Sequence, residues 1–191
     1  MSSRIAPLLS CARYSVLLAS RSGQAPPIPN CQGVKFDWFD ETSYGNPFKN
    51  HDISAVFIVA PPTINQLPPS KAFLDLAVKN GVKRVVLLST SAMKVGEGTM
   101  MGAVAQYLIS LGVEYAILRP SWFMENFAEL QHLHTIRNMD IIVTATGTGK
   151  IPFVSASDIA GVAYRALIDE VPHNTEHLIL GSELFSYDQV R

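Results

Sequence analysis

The sequence is poor in charged residues and in cysteine, and it contains no long hydrophobic run. Charged residues make up 16% of the 191 residues, whereas soluble domains typically carry roughly 25%. A formal net charge of -1 provides no basic surface of the kind that binds nucleic acid. No apolar stretch approaches the roughly 20 residues of a membrane-spanning helix. We therefore expect a sheet-centred domain with neither a nucleic-acid nor a membrane partner.

Cysteine usage predicts the compartment. Cys11 and Cys31 form neither a Cys-x-x-Cys pair nor a disulfide framework, so we expect a reducing, cytoplasmic environment. Residues 1–35 contain no acidic residue and several arginines and serines, a composition that resembles a transit peptide. The same stretch has the pattern of a helix followed by a strand, which favours a folded segment.

Strand-like and helical stretches alternate along the chain. Several strands, such as "AVFIVA", are apolar on both faces, which is typical of parallel sheets covered by helices on both sides. The sequence therefore predicts one domain over residues 1–191, an α/β fold with a doubly wound, Rossmann-like and mostly parallel sheet. The predicted strands are residues 16–19, 34–38, 55–60, 85–88, 115–118, 141–145 and 176–180.

Four helices are predicted from apolar spacing and from capping residues. They comprise residues 3–12 with Ser2 or Ser3 as cap, a helix from Ser70 to Gly81, residues 99–111, and a helix that begins at Ser157 or Asp158.

Two motifs are rejected. "TGTGK" at 146–150 resembles a phosphate-binding loop, but Thr144 and Ile151 stand where that loop needs glycine and a hydroxyl residue. His132 and His134 have no carboxylate or cysteine at metal-ligand spacing. We interpret them as two surface histidines and predict no metal site.

The residues that follow the strands are the candidate site, because ligands of doubly wound sheets bind beyond the carboxyl ends of the strands. Arg21 follows the first strand. An acidic residue at a strand end would bond the ribose of NAD, whereas arginine accommodates the 2′-phosphate of NADP, since guanidinium matches phosphate bidentately. The sequence therefore predicts NADP. The alternative is that Arg21 is an ordinary surface residue.

Four stretches carry a family resemblance: "VKRVVLLSTSA", "LGVEYAILRPSWFMENF", "GTGKIPFVSASDIAGVAYRAL" and "LGSELFSYDQV". They resemble the NmrA-like, atypical short-chain dehydrogenase/reductase family, and within it the fungal festuclavine and agroclavine dehydrogenases of ergot alkaloid biosynthesis. The resemblance implies an NADPH-dependent reductase whose small-molecule substrate is an indole alkaloid imine or iminium.

The resemblance also implies roles for the strand-end residues. It implies that Arg21 and Ser22 hold the 2′-phosphate and that Asp37 meets the adenine. It also implies that Ala60 and Pro61 line the ribose and pyrophosphate, and that Ser89 and Pro120 border the nicotinamide. The implied substrate wall consists of Trp122, Phe123, Met124 and Asn126. Aromatic residues in that wall suit stacking against an indole. Trp122 and Phe123 alternatively belong to the core, and Glu125 either stabilises a cation or forms a structural ion pair.

The chain departs from the family pattern at both ends. Family members begin with a strand and a loop of the form GGxGKTxSR, of which only Ser3 and Arg4 have counterparts here, and they continue past "YDQV". We therefore expect a sheet that lacks the first strand and Gly-rich loop, with a gap between the strands that end near Arg21 and Ala60, and a partial C-terminal substrate lobe.

A further departure concerns catalysis. Many short-chain reductases use Tyr-x-x-x-Lys as proton donor, but Leu111 follows Tyr107 at that spacing, and Arg119 follows Tyr115. We predict no catalytic residue of this type. Reduction of a carbonyl needs a proton on the developing alkoxide, whereas hydride delivery to an iminium neutralises an existing charge. The same absence fits an NmrA-type NADP-binding regulator without turnover, or an inactive truncated paralogue, and these alternatives stay open.

Overall fold

Helices and strands alternate along the chain in a computed structural model that describes residues 1–129 and 132–190. The helices within these ranges are α1 (Ser2–Cys11), α2 (Leu67–Lys79), α3 (Met101–Ser110), α4 (Glu125–Ala128), α5 (Leu133–Met139) and α6 (Ala156–Ile168). The strands are β1 (Val16–Ser20), β2 (Cys31–Lys35), β3 (Ala55–Val59), β4 (Arg84–Leu88), β5 (Glu114–Pro120) and β6 (Thr175–Ile179). Within the described ranges, every helix is too short or too polar to cross a membrane.

The strands form two parallel sheets rather than one. β1 pairs with β2, and the other four strands pair in the order β3-β4-β5-β6. All ladders are parallel, which confirms the predicted α/β arrangement. No described strand lies between β1 and β3, so the predicted gap in the sheet is confirmed.

Two apolar layers cover the two faces of the four-stranded sheet. Alternate residues of a strand point to opposite faces, and Val85 and Leu87 pack with α2 and α3, while Val86 and Leu88 pack with α1 and α6. The helix predicted over residues 99–111 is confirmed as α3, and its Val104 is fully buried in the first layer. The core therefore lies around β4 and β5.

The predicted caps are corrected by the structure. α2 begins at Leu67 rather than at Ser70, because two prolines occupy its first turn, where a missing N–H costs no hydrogen bond. Ser155 caps α6 instead of Ser157 or Asp158, and its hydroxyl accepts from both of their backbone N–H groups, at 3.0 and 3.1 Å. α1 starts directly after Met1, so Ser2 and Ser3 lie inside the helix.

Two predicted strands are corrected as well. β2 spans Cys31–Lys35 rather than residues 34–38, and the chain turns soon afterwards through an isolated bridge between Asp37 and Asp40. Residues 141–145 form no strand. Ile141 and Val143 are exposed, and apolar alternation without a hydrogen-bonding neighbour is not enough for a stable strand.

Candidate functional site

The turn after β1 holds two of the predicted cofactor residues. The carbonyl of Ser20 accepts from the N–H groups of Gly23 and Phe36, at 3.1 and 2.9 Å, which folds the turn tightly. Gly23 has a φ of +70°, a conformation that favours glycine. Ser22 Oγ accepts from the N–H of Gln24 at 3.2 Å. Arg21 is exposed and forms no salt bridge with another described residue, so its guanidinium can meet an anion.

Asp37 lies beside this turn and has a structural task of its own. Its Oδ1 accepts from the N–H of Phe39 at 3.0 Å, and its own N–H donates to Ser43 Oγ at 2.9 Å. These bonds hold the reversal that follows β2. The predicted contact of Asp37 with adenine stays a prediction.

The residues at the carboxyl ends of β3, β4 and β5 form a second group of predicted cofactor residues. Ala60 and Pro61 follow β3 directly and are buried. The N–H of Ser89 donates to the carbonyl of Leu118 at 2.7 Å, and that of Ser91 donates to Pro120 at 2.9 Å. Ser89 and Pro120 are therefore brought together at the carboxyl edge, as the nicotinamide prediction requires.

A cavity separates the two groups. We name the space between β1 and β3 the slot; it has a volume of about 390 Å³, within the range of small-molecule pockets. None of the seven predicted cofactor residues lines it. Arg21, Ser22 and Asp37 lie on one side, while Ala60, Pro61, Ser89 and Pro120 lie on the other, so their convergence on one ligand stays a prediction.

The predicted substrate wall runs along a short parallel contact with Val154. The carbonyl of Trp122 accepts from the N–H of Val154 at 2.9 Å, and the N–H of Met124 donates to the carbonyl of Val154 at 3.0 Å. Trp122 and Met124 are 44% and 48% exposed, whereas Phe123 is half-buried and packs against the α1–α6 layer. Asn126 is half-buried, and its carbonyl accepts from the N–H of His132. Two large apolar side chains are thus available to a ligand, and Phe123 partly serves the core.

Glu125 has the structural role that the sequence left open. Its Oε2 accepts from the N–H of Ala156 at 2.8 Å, at the start of α6, and its Oε1 lies 3.6 Å from Arg4. A carboxylate at a helix N-terminus is stabilised by the helix dipole. Glu125 therefore anchors the wall segment to α6.

Gln66 is a residue that sequence reasoning missed. Its Nε2 donates to the carbonyl of Pro61 at 2.9 Å, and its backbone N–H donates to the carbonyl of Thr99 at 3.2 Å. Gln66 Oε1 is buried and has no hydrogen-bond partner among the described residues. The residue fixes the loop after β3, but it stands in a proline-rich stretch where no local pattern distinguishes it.

His132 corrects the prediction of two surface histidines. It is buried, stacks on Phe127, and places Nε2 3.5 Å from the hydroxyl of Tyr187. Burial raises the pKa of Tyr187. His134 is exposed, as predicted. In residues 1–129 and 132–190, no cluster of histidine, cysteine and carboxylate side chains is arranged to hold a metal ion.

Tyr107 is committed to the outer surface of α2 and α3. Its hydroxyl accepts from Lys71 Nζ at 2.7 Å and also bonds Asp75. The hydrogen bonds of Asp75 and Tyr107 raise the pKa of Lys71, and those of Lys71 and Tyr107 lower the pKa of Asp75. Tyr107 lies near the carboxyl end of α3, and the chain continues from there to the amino edge of the sheet. Its hydroxyl is therefore away from the strand ends that hold Ser89 and Pro120.

A second cluster missed by sequence reasoning joins the end of α6 to β6. His173 Nδ1 lies 2.8 Å from His177 Nε2, and His173 Nε2 lies 3.1 Å from Asp169. Burial lowers the pKa of His177, and the hydrogen bond from His173 lowers the pKa of Asp169. The three residues are spaced four apart, but they span a helix end, a loop and a strand, so helical periodicity does not reveal them.

Comparison with curated proteins gives strong matches over almost the whole chain. The chain is 45% identical to festuclavine synthase I of Penicillium roqueforti (strain FM164), over 98% of its own length and 67% of that protein. It is 42% identical to agroclavine dehydrogenase of Claviceps fusiformis, over 97% of its length and 66% of that protein. The chain thus spans about two thirds of the length of these relatives. No protein-family model matches it.

Solved structures support the fold. NADPH-dependent quinone oxidoreductase QOR2 of Escherichia coli, complexed with NADPH, superposes with a TM-score of 0.76 at 15% identity, over 98% of this chain and 68% of that chain. Triphenylmethane reductase of Citrobacter sp., complexed with NADP(H), gives a TM-score of 0.70 at 15% identity, over 93% of this chain and 73% of that chain. At these identities the likeness establishes the architecture alone.

Proposed function

The chain belongs to the family of the festuclavine and agroclavine dehydrogenases, and we propose that it is an NADP-dependent oxidoreductase that reduces a cyclic iminium of an indole alkaloid. The observation that carries this proposal is the 45% identity to festuclavine synthase I over 98% of the chain. Its two cysteines form no disulfide, which suits action in the cytoplasm.

The strand-end residues fit NADP at its phosphate-bearing end. Arg21 is exposed and carries no carboxylate partner in the described part of the chain, so the 2′-phosphate meets a guanidinium that is not already neutralised. Ser22 lies next to it, and Asp37 would meet the adenine. Ala60 and Pro61 would line the ribose and pyrophosphate, while Ser89 and Pro120 would border the nicotinamide.

Bound NADPH would supply a hydride, and an iminium carbon could accept it because the C=N electron pair moves to nitrogen and neutralises the charge. The chain's own task is then to orient the substrate and to exclude water. Trp122 and Met124 offer exposed apolar surface for an indole ring. Tyr107 supplies no proton to this edge, because its hydroxyl bonds Lys71 and Asp75 on the far side of α3.

The test compares two indole-fused substrates of matched shape. NADPH absorbance is followed with protonated dihydro-β-carboline, an iminium, and with tetrahydrocarbazolone, a ketone. A proton donor typically contributes about 10²–10⁴-fold, so we expect the ketone rate to be at least about 100-fold below the iminium rate. Tyr107→Phe and Tyr115→Phe should each leave the iminium rate within about threefold, since neither hydroxyl serves the reaction in this proposal.

Two outcomes would contradict the proposal. Ketone turnover that collapses in either phenylalanine variant would reveal a tyrosine proton donor. Tight NADPH binding without turnover of any imine would instead indicate a regulatory NADP-binding protein.

A further inference from the structure

Arg119 stands beside a proline that interrupts the hydrogen bonding between β4 and β5. The N–H of Ser89 donates to the carbonyl of Leu118, and the N–H of Ser91 donates to the carbonyl of Pro120. In a parallel ladder, the N–H of residue 120 would donate to the carbonyl of Ser89, but proline has no N–H. β5 therefore holds the segment that leaves β4 with one backbone donor fewer.

The side chain of Arg119 supplies donors to the same segment. Its Nε donates to the carbonyl of Thr90 at 3.4 Å, and its Nη2 donates to the carbonyl of Ser91 at 3.3 Å. These two residues directly follow Ser89, which is predicted to border the nicotinamide. One guanidinium thus fixes two successive carbonyls next to a predicted cofactor residue.

Glu176 of β6 orients this guanidinium. Its Oε2 lies 2.8 Å from Nη1 of Arg119. In the ladder, Ile117 stands opposite Glu176 and Arg119 stands opposite Leu178, so Arg119 and Glu176 lie on the same face of the sheet. The side chain of Arg119 is only 17% exposed, and a charge that is largely buried needs a partner. The planar fork of guanidinium can serve a carboxylate and two carbonyls at once, whereas an ammonium presents a single point charge.

A second arginine has the same kinds of partner at the opposite edge of the sheet. Arg84, at the amino end of β4, places Nε 2.7 Å from Glu114 Oε2. Its Nη1 donates to the carbonyls of Leu167 and Asp169, at 3.2 and 2.6 Å. It therefore fastens the end of α6 to the amino edge, away from the carboxyl ends that carry the predicted site residues. Its side chain is 12% exposed, so Arg84 and Arg119 are closely matched and differ mainly in location.

We propose that Arg119 is a positioning residue, which Glu176 orients and which holds residues 89–91 in place at the nicotinamide end of the candidate site. In this role it acts through Ser89, whose backbone it keeps aligned with Pro120, rather than on the substrate itself. The inference rests on the proposed oxidoreductase function for the identity of the ligand. A displaced Ser89 leaves the phosphate-bearing end of the cofactor site intact, so kcat should respond more than the affinity for NADPH.

Residue-resolved hydrogen exchange tests this role without turnover. Arg119→Met removes the donors and keeps a long side chain, and we expect about tenfold or faster exchange of the amides of Ser89 and Ser91, since local opening becomes easier. Arg84→Met is the matched control and should leave both amides within about twofold. Both variants should lower the midpoint of urea unfolding, because each leaves a glutamate and two carbonyls without their donor.

Turnover separates a positioning role from a general loss of stability. With protonated dihydro-β-carboline, Arg119→Met should lower kcat about tenfold or more, because a small displacement at the reacting centre is costly. The dissociation constant for NADPH should stay within about threefold, since the interactions at the phosphate-bearing end remain. Arg84→Met should leave both quantities within about twofold.

A double-mutant cycle tests whether Glu176 acts through Arg119. Glu176→Ala should also accelerate exchange of the Ser91 amide and lower kcat. Combining it with Arg119→Met should cause no further loss, because residues that act as one unit are not additive. Glu176→Gln retains a side-chain oxygen that can accept from the guanidinium, so it should recover most of the kcat lost in Glu176→Ala.

Three results would overturn the proposal. The first is unchanged exchange of the Ser89 and Ser91 amides in Arg119→Met. The second is an equal loss of kcat in Arg84→Met and Arg119→Met, which would make both arginines merely structural. The third is additivity in the cycle, which would give Arg119 and Glu176 separate roles. An unmodified chain that turns over no imine contradicts the oxidoreductase proposal instead, and the exchange measurement alone then decides whether Arg119 holds the segment.

Discussion

The centre of the four-stranded sheet and the rim of the slot are built from the same kinds of residue, but these residues are buried to different degrees. Val85 and Val86 on β4 are 0% exposed, whereas Val59 on β3 is 43% exposed. β4 has a paired strand on each side and helices on both faces. β1 and β3 each face the slot on one edge. The comparison teaches that the neighbours of a strand, rather than its composition, decide how much its apolar side chains stabilise the fold.

The largest expected effect compares one leucine from each region. Leu87→Ala on β4 should lower the free energy of unfolding by about 2–5 kcal/mol, because it leaves a cavity in a close-packed core. Leu17→Ala on β1 should cost about 1 kcal/mol or less, since its half-buried side chain already borders the slot. Urea denaturation of both variants measures the difference. Equal losses would show that the slot is closed in solution.

The second prediction compares two exposed arginines, one near each end of β1, and asks whether each affects cofactor binding. Arg21→Asp should weaken NADPH binding about ten- to hundredfold, since hydrogen bonds to charged groups contribute about 1.5–3 kcal/mol, and should leave NADH binding within about twofold. Arg13 is the matched control, because it is an exposed arginine at the amino end of the same strand. Its left-handed backbone, with a φ of 66°, tolerates aspartate. Cofactor fluorescence titrations give the constants, and equal losses for both cofactors would assign Arg21 a structural role.

The smallest expected effect concerns the helix that supports the central layer. Ser155→Ala should cost about 1 kcal/mol of stability, because its hydroxyl caps two backbone N–H groups of α6. Ser157→Ala is the control, since Ser157 is exposed and uses only its backbone N–H in this cap. Thermal and urea unfolding compare the two variants. A larger loss at Ser157 would place the start of α6 where the sequence pattern alone predicts it.

The elements predicted best from the sequence are the strands whose apolar pattern is matched by a neighbouring strand in the fold. β1, β3, β4, β5 and β6 form within two residues of their predicted bounds, because short apolar runs between turn residues have few other ways to be buried. Residues 141–145 show the same apolar character but form no strand, because they pair with no described strand. The strand-end residues of the candidate site were predicted from the same topology, since parallel strands put all their carboxyl ends at one edge. Their contacts with a cofactor stay a prediction.

The sequence by itself determined the fold class, the family and the residues that follow each strand, because these depend on local pattern and on the order of elements along the chain. Only the tertiary structure decided which side chains already form contacts with distant parts of the chain. It placed Glu125 on the N-terminus of α6, Tyr107 on Lys71, and His132 in an aromatic cluster. It also divided the predicted cofactor residues into two groups across the slot. The physical reason is that a hydrogen bond or a cavity depends on residues that are distant in sequence, and no local pattern records which of them meet.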